Sequence, residues 1–256
     1  MLIAAAIPRV ALVTGAARRI GRTIALELAE AGFGLALHCH GSAVDAEALA
    51  DEIRQRGGKA AVFEADLARE AAVAALLPRI VSVLGAVGVL VNNASTFERD
   101  EALDATRDSW DLHMEVNLRA PFVLSQHFAR QLPAGAEGVI VNLLDQRVWN
   151  LTPHFTTYTL SKAGLWTLTQ TLALALAPAI RVIGIGPGPA LPSSRQTAEQ
   201  FAAQAARTPL GRPTSPAEIA AAIRFALASP SLTGQMIALD GGQHLQWAPG
   251  GSALEE

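Results

Sequence analysis

The chain has 256 residues, half of them hydrophobic, and a formal net charge of −3. This length suits one large α/β domain, and the weakly acidic balance gives no reason to expect a nucleic acid or an anionic membrane as partner. Cys39 is the only cysteine, so no disulfide can form within the chain, which favours a cytoplasmic location. The longest apolar run, Leu165 to Ala177, is too short and too polar to span a bilayer.

Short β-branched runs alternate with longer helical patterns along the whole chain. The predicted strands are 10–13, 35–38, 60–63, 87–91, 139–143, 180–185 and 235–239. The predicted helices are 20–30, 44–56, 70–84, 108–131, 157–176 and 216–228. Because such alternation implies right-handed crossovers, we predict a single α/β domain over residues 1–256, a Rossmann-type doubly wound, seven-stranded parallel sheet with helices on both faces.

The segment from Gly186 to Thr197 is irregular and rich in Pro, Gly and Ser. It follows the sixth predicted strand, at the carboxyl edge of the sheet, where ligands bind in folds of this kind. We therefore predict a mobile flap over a substrate at about residues 186–206. A plain surface loop is the alternative.

A glycine turn joins the first predicted strand to its helix, in the sequence Thr14-Gly15-Ala16-Ala17-Arg18-Arg19-Ile20-Gly21. Gly15 permits a tight turn, Gly21 lets the helix pack closely on the sheet, and free N–H groups at the helix start can hold a pyrophosphate. The middle glycine of the usual dinucleotide fingerprint is absent. The position of the turn still predicts a dinucleotide site that includes Ile20.

The end of the second strand indicates which dinucleotide this is. NAD sites usually place an acid there, but the chain reads His38-Cys39-His40-Gly41-Ser42. Arg18 and Arg19 can supply positive charge, and His40 and Ser42 can donate hydrogen bonds to a 2′-phosphate. We therefore predict NADPH, with solvated surface arginines as the alternative. Asp66 and Leu67 follow the third strand, where Asp66 can cap the adenine amino group.

Tyr158 and Lys162 stand at i and i+4 of a predicted helix, so the phenol and the ammonium share one face. A nearby positive charge favours the phenolate and lowers the pKa of a tyrosine. A tyrosine tuned in this way can exchange a proton with a substrate near neutral pH. The pair therefore predicts general acid–base chemistry.

As a set, these motifs resemble the short-chain dehydrogenase/reductase family. The matching segments are the glycine turn, Asn92-Asn93-Ala94, Asn117, Tyr158 to Lys162, Pro187-Gly188 and Asp240-Gly241-Gly242. The resemblance implies that Tyr158 donates a proton, that Lys162 lowers its pKa and holds the nicotinamide ribose, and that Asn117 supports a proton relay. It also implies that Asn93, Ala94, Pro187 and Gly188 line the cofactor. Family members usually form homotetramers or homodimers through the two long helices, here 108–131 and 157–176. The apolar side of the second helix, with Leu165, Leu168, Leu172 and Leu176, suits such an interface and equally suits burial within the monomer.

Asp145 departs from the family pattern, which has a serine about a dozen residues before the tyrosine. A carboxylate is a poor partner for a ketone oxygen that gains negative charge, because like charges repel. It suits a substrate that offers N–H groups or is protonated on nitrogen, which favours reduction of a C=N bond. A degenerate site with a structural Asp145 is the alternative.

The pteridine reductases are the branch that this departure resembles, and Asn92-Asn93-Ala94-Ser95-Thr96-Phe97 looks like their Asn-Asn-Ala-Ser-x-Phe segment. The resemblance implies that Phe97 stacks on a pterin, that Ser95 touches pterin and cofactor, and that Leu191 covers the ring. For Phe97 the alternative is a loop anchor packed under the flap. Gly41 differs from the basic residue of some pteridine reductases. His113, His127 and His154 show no metal-ligand spacing, so we predict no metal, and His113 is expected to be a packing or solvated residue.

The resulting prediction is an NADPH-dependent reductase of dihydropterin-like or dihydrofolate-like substrates, with proton delivery by Tyr158 or Asp145. One alternative is a reductase of a small ketone or a 3-oxoacyl thioester on the same scaffold. The other is a non-catalytic NADP-binding regulatory protein.

Overall fold

A computed structural model of the chain describes residues 3–193 and 195–246. Seven strands form one parallel sheet in the order β3-β2-β1-β4-β5-β6-β7. The strands are β1 Val10–Val13, β2 Gly34–Cys39, β3 Ala60–Glu64, β4 Val89–Asn92, β5 Gly138–Leu143, β6 Ile180–Pro187 and β7 Met236–Leu239. The predicted fold class is confirmed, and the strand order reverses between β1 and β4, which opens a crevice at the carboxyl edge.

Helices cover both faces of this sheet. They are α1 Arg19–Glu30, α2 Ala43–Gln55, α3 Glu70–Leu84, α4 Arg107–Met114, α5 Ala120–Gln131, α6 Thr156–Ala175, α7 Ala198–Ala206 and α8 Pro216–Leu227. Within the described residues, none of the helices combines the length and the apolar character needed to cross a membrane.

Two apolar layers sandwich the strands, because successive strand side chains point to opposite faces. Val139 and Val141 of β5 join the layer that contains Ile24 and Ile223. Ile140, between them, joins the layer that contains Phe128 and residues of α3 and α6. The sheet is therefore buried on both sides, and only its edges are available for a site.

The helix predicted over 108–131 contains a π turn, Glu115–Arg119, between α4 and α5. A π turn inserts one extra residue into the helical ladder and is frequent at functional positions. Asn117 lies in this turn and is fully buried. Because of the extra residue, the Asn117 side chain points in a different direction around the helix axis than it would in a regular α-helix.

The predicted flap contains more regular structure than its sequence suggested. β6 continues to Pro187, and residues 198–206 form α7, whose N-terminus is closed by a capping box between Thr197 and Gln200. Among the described residues of the predicted flap, the irregular ones are therefore 188–193 and 195–197.

Candidate active site

The glycine turn and the segment after β4 form one hydrogen-bonded unit. Thr14 Oγ1 accepts the N–H groups of Asn93 and Ala94 at 2.9 and 3.0 Å. Asn93 Nδ2 donates to the carbonyl oxygens of Thr14 and Gly15 at 2.8 and 3.1 Å. Gly15 has a φ of +62°, and a Cβ on Gly21 would lie 2.1 Å from the Gly15 carbonyl oxygen. Both glycines are therefore required by the backbone geometry of the turn.

His38 fastens this turn to the neighbouring strands. The Gly15 N–H donates to His38 Nδ1 at 3.1 Å, and His38 Nε2 lies 3.0 Å from the Ala65 carbonyl oxygen. Nδ1 must therefore be the acceptor and Nε2 the donor, which is the neutral imidazole. Burial lowers the pKa of His38 to about 4, in agreement with this assignment. The glycine turn thus has a rigid support that does not depend on a charge.

A cavity of about 570 Å³ lies against the turn. Its walls are of the kind that a dinucleotide needs: glycines that leave room for phosphates and the open N-terminus of α1. The structure brings together here twelve of the residues that we predicted for the cofactor, namely Gly15, Arg18, Arg19, Ile20, Gly21, His40, Ser42, Asp66, Leu67, Asn93, Ala94 and Ser95. The other three, Lys162, Pro187 and Gly188, line an adjoining cavity of about 240 Å³.

The two arginines of the turn have different partners. Arg18 Nε donates to Asp45 Oδ2 at 2.5 Å, so its charge is shared with a carboxylate at the start of α2. Arg19 donates to the carbonyl oxygen of Pro192 at 3.0 Å, and therefore links the turn to the flap. The predicted positive charge is present beside the cavity, but Asp45 offsets part of it.

Three of the four predicted catalytic residues, Asp145, Tyr158 and Lys162, line the adjoining cavity, and Asn117 does not. The Tyr158 hydroxyl donates to Asp145 Oδ2 at 2.8 Å. Lys162 Nζ is buried, donates to the Leu143 carbonyl oxygen at 2.8 Å and lies 5.8 Å from the centroid of the Tyr158 ring. Burial lowers the pKa of Lys162 to about 8, although the charge of Asp145 acts in the opposite direction. A proton donor, a carboxylate and a buried cation therefore stand within one small volume.

The Asn117 side chain is fixed by neighbours on both sides. Its Oδ1 accepts the Thr96 N–H at 2.9 Å and the Ser95 hydroxyl at 3.1 Å, and its Nδ2 donates to Ser161 Oγ at 3.1 Å. Asn117 thus ties the segment after β4 to α6. Its part in a proton relay stays a prediction.

Aromatic rings and arginines lie together beside the catalytic cavity and beneath the predicted flap. Phe97 stacks on Phe155 with ring centroids 4.3 Å apart and lies edge-on to Tyr158 at 4.6 Å. Arg195 of the flap donates to the Phe97 carbonyl oxygen at 2.7 Å. Phe97, Asp145 and Leu191 line both the catalytic cavity and a further cavity of about 170 Å³ beneath the flap. One face of Phe97 is thus covered by a second phenylalanine, which we did not predict.

Several residues of the site were missed by sequence reasoning. They are the histidine that supports the glycine turn, the serine that accepts a hydrogen bond from Asn117, the phenylalanine that stacks on Phe97 and the two arginines beside these rings. In that order the residues are His38, Ser161, Phe155, Arg147 and Arg195. Four of them lie within or beside a recognised motif: His38 in the segment at the end of the second strand, and Ser161, Arg147 and Phe155 within three residues of Lys162, Asp145 and Tyr158. Their roles follow from tertiary contacts, which those motifs do not indicate.

The fold, the glycine turn and the tyrosine–lysine–asparagine group define the class of protein. The chain belongs to the short-chain dehydrogenase/reductase family of oxidoreductases. The sequence model described as enoyl-(acyl carrier protein) reductase matches residues 15–244.

Particular relatives refine this assignment. The chain is 45% identical to FolM alternative dihydrofolate reductase 1 from Brucella canis, solved in complex with NADP, with a TM-score of 0.93 over 98% of this chain and 100% of that one. The same enzyme from Brucella suis, also with NADP, gives 45% identity and a TM-score of 0.92 over 96% and 98%. The 3-oxoacyl-[acyl-carrier-protein] reductase FabG of Staphylococcus epidermidis is 33% identical over 243 residues, which are 92% of this chain and 98% of that protein.

Proposed function

We propose that the chain is an NADPH-dependent reductase of a pterin-like substrate, a dihydropterin or dihydrofolate. The observation that carries the proposal is the carboxylate of Asp145 at 2.8 Å from the Tyr158 hydroxyl, at the position where the family usually has a serine. The Brucella enzymes, which are named as dihydrofolate reductases and hold NADP, support both the substrate class and the cofactor.

Each catalytic residue has a defined task in this proposal. Bound NADPH supplies the hydride for a ring carbon of a C=N bond. The Asp145 carboxylate accepts N–H groups of the heterocycle, and the neighbouring Tyr158 hydroxyl delivers the proton to nitrogen. Lys162, whose lowered pKa still leaves it mostly charged at neutral pH, favours the phenolate that remains.

The substrate ring is held by apolar contact on one side. We infer that a flat bicycle lies along Phe97, since heteroaromatic rings prefer offset stacking on an aromatic face. Ser95 and Leu191 line the same catalytic cavity. In this proposal Ser95 contacts the substrate ring, and Leu191, which belongs to the flap, covers it. The mobile flap at about 186–206 stays a proposal, supported by the residues between Pro187 and Leu191 that line both cavities. Hydrogen bonds made by Arg19 and Arg195 hold this segment in the position that the structure shows.

A second candidate is reduction of a 3-oxoacyl thioester. The identity with the Staphylococcus epidermidis protein favours it, and the tyrosine, lysine and asparagine serve a ketone equally well. Asp145 disfavours it, because the carboxylate would repel the oxygen that gains negative charge. A non-catalytic NADP-binding protein is the third candidate, and the intact catalytic group argues against it.

A substrate screen separates these candidates. NADPH oxidation would be followed with dihydrobiopterin, dihydromonapterin, dihydrofolate and an acetoacetyl thioester, with Tyr158→Phe as the background control. We expect turnover of the pterins and a preference for NADPH over NADH. Turnover of the thioester alone would favour the second candidate, and tight NADPH binding without any turnover would favour the third.

We also propose a homotetramer or homodimer built through α4–α5 and α6, in the cytoplasm. Two leucines of α6, Leu165 and Leu172, pack into the core of the monomer. Leu160 and Leu174 of α6 are instead 46% and 83% exposed, and they give the helix an apolar outer side. Light scattering at working concentrations tests the proposal, and a monomeric mass would contradict it.

A further inference from the structure

The backbone on both sides of Phe97 is fastened to the helix that carries Asn117. On the N-terminal side of Phe97, the Asn117 side chain accepts the Thr96 N–H at 2.9 Å and donates to the Thr96 carbonyl oxygen at 3.0 Å. After the ring, His113 Nε2 accepts the Glu98 N–H at 3.1 Å. Since His113 and Asn117 are four residues apart, one stretch of helix fixes the chain before and after the aromatic side chain.

The second nitrogen of His113 reaches α6. His113 Nδ1 lies 2.7 Å from Thr157 Oγ1, and the Thr157 hydroxyl donates to the Asp100 carboxylate. Thr157 Oγ1 must therefore accept from His113, so the imidazole carries its proton on Nδ1 and keeps Nε2 as the acceptor for Glu98. Burial lowers the pKa of His113, which agrees with a neutral ring. Both nitrogens are thus occupied, in one defined tautomer.

Asp100 anchors this chain of hydrogen bonds at the start of α6. Its carboxylate also accepts the Thr157 N–H at 3.1 Å and the Ser109 hydroxyl at 3.0 Å, while Phe155, the N-cap residue, provides no side-chain cap. Burial opposes ionisation, but these hydrogen bonds outweigh it and hold the pKa of Asp100 below its usual value. A carboxylate is favourable at a helix N-terminus, so Asp100 caps α6 from a distant segment.

His113 therefore connects the aromatic wall to the catalytic tyrosine. Thr157 precedes Tyr158 on α6, and the His113 ring lies edge-on to the Tyr158 ring at 6.0 Å. His113 has 0% exposed surface, so it cannot contact a substrate directly. Its contacts act on the two groups that do face the catalytic cavity, Phe97 and Tyr158.

We propose that His113 is a specificity-determining positioning residue, which sets the separation between the Phe97 ring and the Tyr158 hydroxyl and thereby the slot for a flat bicyclic substrate. This inference rests on the proposed function, because it takes a planar heterocycle as the substrate. Loss of His113 should weaken binding of a pterin, which needs both groups at once. Binding of NADPH, whose cavity is built around the glycine turn, should not change.

Three variants test the inference. His113→Phe keeps a ring but removes the hydrogen bonds of His113 to Glu98 and Thr157. Thr157→Val removes the hydroxyl that links His113 to Asp100. His113→Gln keeps one hydrogen-bond donor and one acceptor. His127→Phe, on α5, is the matched control. Fluorescence titration gives the Kd of a fully oxidised pterin in the presence of NADP⁺. Steady-state kinetics gives the kcat and KM for a dihydropterin, and the Kd of NADPH is measured as well.

In His113→Phe and Thr157→Val, each of which removes two buried hydrogen bonds, we expect the pterin Kd and KM to rise about tenfold, because part of the cost falls on stability and about one bond's worth on pterin binding. The NADPH Kd should stay unchanged, the control should behave like the wild type, and His113→Gln should recover most of the pterin affinity. If His113→Phe does not fold, Thr157→Val and His113→Gln carry the same comparison.

Two results would overturn the inference. One is an unchanged pterin Kd and KM in the folded variants with only a lower Tm, which would make His113 a purely structural residue. The other is an equal loss of pterin and NADPH affinity. If the wild-type chain itself binds no pterin, the proposed function fails first and the inference falls with it, whatever the variants do.

Discussion

The cofactor side and the substrate side of the site are built in different ways. On the cofactor side, the side chains of Thr14 and Asn93 bond backbone groups at the ends of β1 and β4, two strands that are neighbours in the sheet. On the substrate side, side chains from four distant segments meet, as in the contacts of Phe97 with Phe155 and Arg195. The cofactor side joins side chains to backbone groups of adjacent strands, whereas the substrate side depends mainly on contacts between side chains.

This difference predicts that the two sides can be damaged separately. Because the cofactor cavity rests on glycines and buried backbone contacts, substitutions there should reduce NADPH affinity and stability together. Because the substrate wall rests on side chains, substitutions there should change turnover or substrate choice while NADPH binding persists. The predictions that follow test this separation.

Tyr158→Phe should have the largest effect. It removes the hydroxyl that donates to Asp145 and leaves the ring in place. Loss of a general acid costs about 10²- to 10⁴-fold, so we expect kcat for a dihydropterin to fall by about a thousandfold. The Kd of NADPH, measured by fluorescence, should not change. Retention of turnover in this variant would remove Tyr158 from the mechanism.

Asp145→Ser should change substrate choice. It installs the residue that the family usually has, so pterin kcat/KM should fall by about a hundredfold, the weight of one acid–base group. Reduction of an acetoacetyl thioester should be unaffected or should rise, since the repulsive charge is gone. Asp145→Asn is the control for size, and steady-state kinetics with both substrates provides the measurement. Equal rates with a pterin before and after the change would make Asp145 structural.

Gly21→Ala should damage the cofactor side alone. The new Cβ would lie 2.1 Å from the Gly15 carbonyl oxygen and 2.7 Å from Asn93 Nδ2, so the turn must shift. Overpacking of this kind costs about 1–3 kcal/mol. If that cost is lost from cofactor binding, the Kd of NADPH rises about 5- to 150-fold. Gly34→Ala is the matched control, because its Cβ would make ordinary contacts at 3.6 Å or more. A similar Kd in both variants would show that the turn tolerates a side chain.

Raising the pH should have the smallest effect, and its sign differs between activity and stability. Burial lowers the pKa of Lys162 to about 8, so its cation is lost as the pH rises above that value, and kcat/KM should decline several-fold between about pH 8 and 9.5.

Stability should show the opposite trend. Between the folded pKa of about 8 and the ordinary value of 10.5, the unfolded chain binds more protons than the folded chain at this position. Stability therefore rises with pH over this interval, by at most roughly 3 kcal/mol relative to Lys162→Met. Urea unfolding at several pH values would measure the trend, and parallel curves for the two proteins would contradict the lowered pKa.

Much of the fold and of the cofactor side could be predicted from the sequence, because both depend on local rules. Alternating strand and helix patterns fix the order of elements, and Gly15, Gly21 and Asn93 belong to motifs with defined backbone tasks. On the substrate side, only residues that belong to a recognised motif could be predicted, such as Phe97 and Tyr158. The second aromatic ring, Phe155, adopts a left-handed backbone with a φ of +60°, for which the sequence holds no signal.

His113 illustrates the same limit. Its spacing excluded a metal site, and the expectation of a packing or solvated residue followed from its surroundings in the helix. The structure gives it partners 15 and 44 residues away, Glu98 and Thr157, which no local pattern connects. The π turn at Asn117 was missed for a related reason, because a helical periodicity does not register one inserted residue.

The central claim is that the acid at position 145 faces a nitrogen heterocycle held over the coenzyme. A crystal structure of the chain with NADP⁺ and an oxidised pterin tests it most directly. We predict ring nitrogens within hydrogen-bond distance of an Asp145 carboxylate oxygen and the ring plane lying along Phe97. A pterin bound elsewhere, or a carboxylate turned away from the occupied slot, would contradict the account.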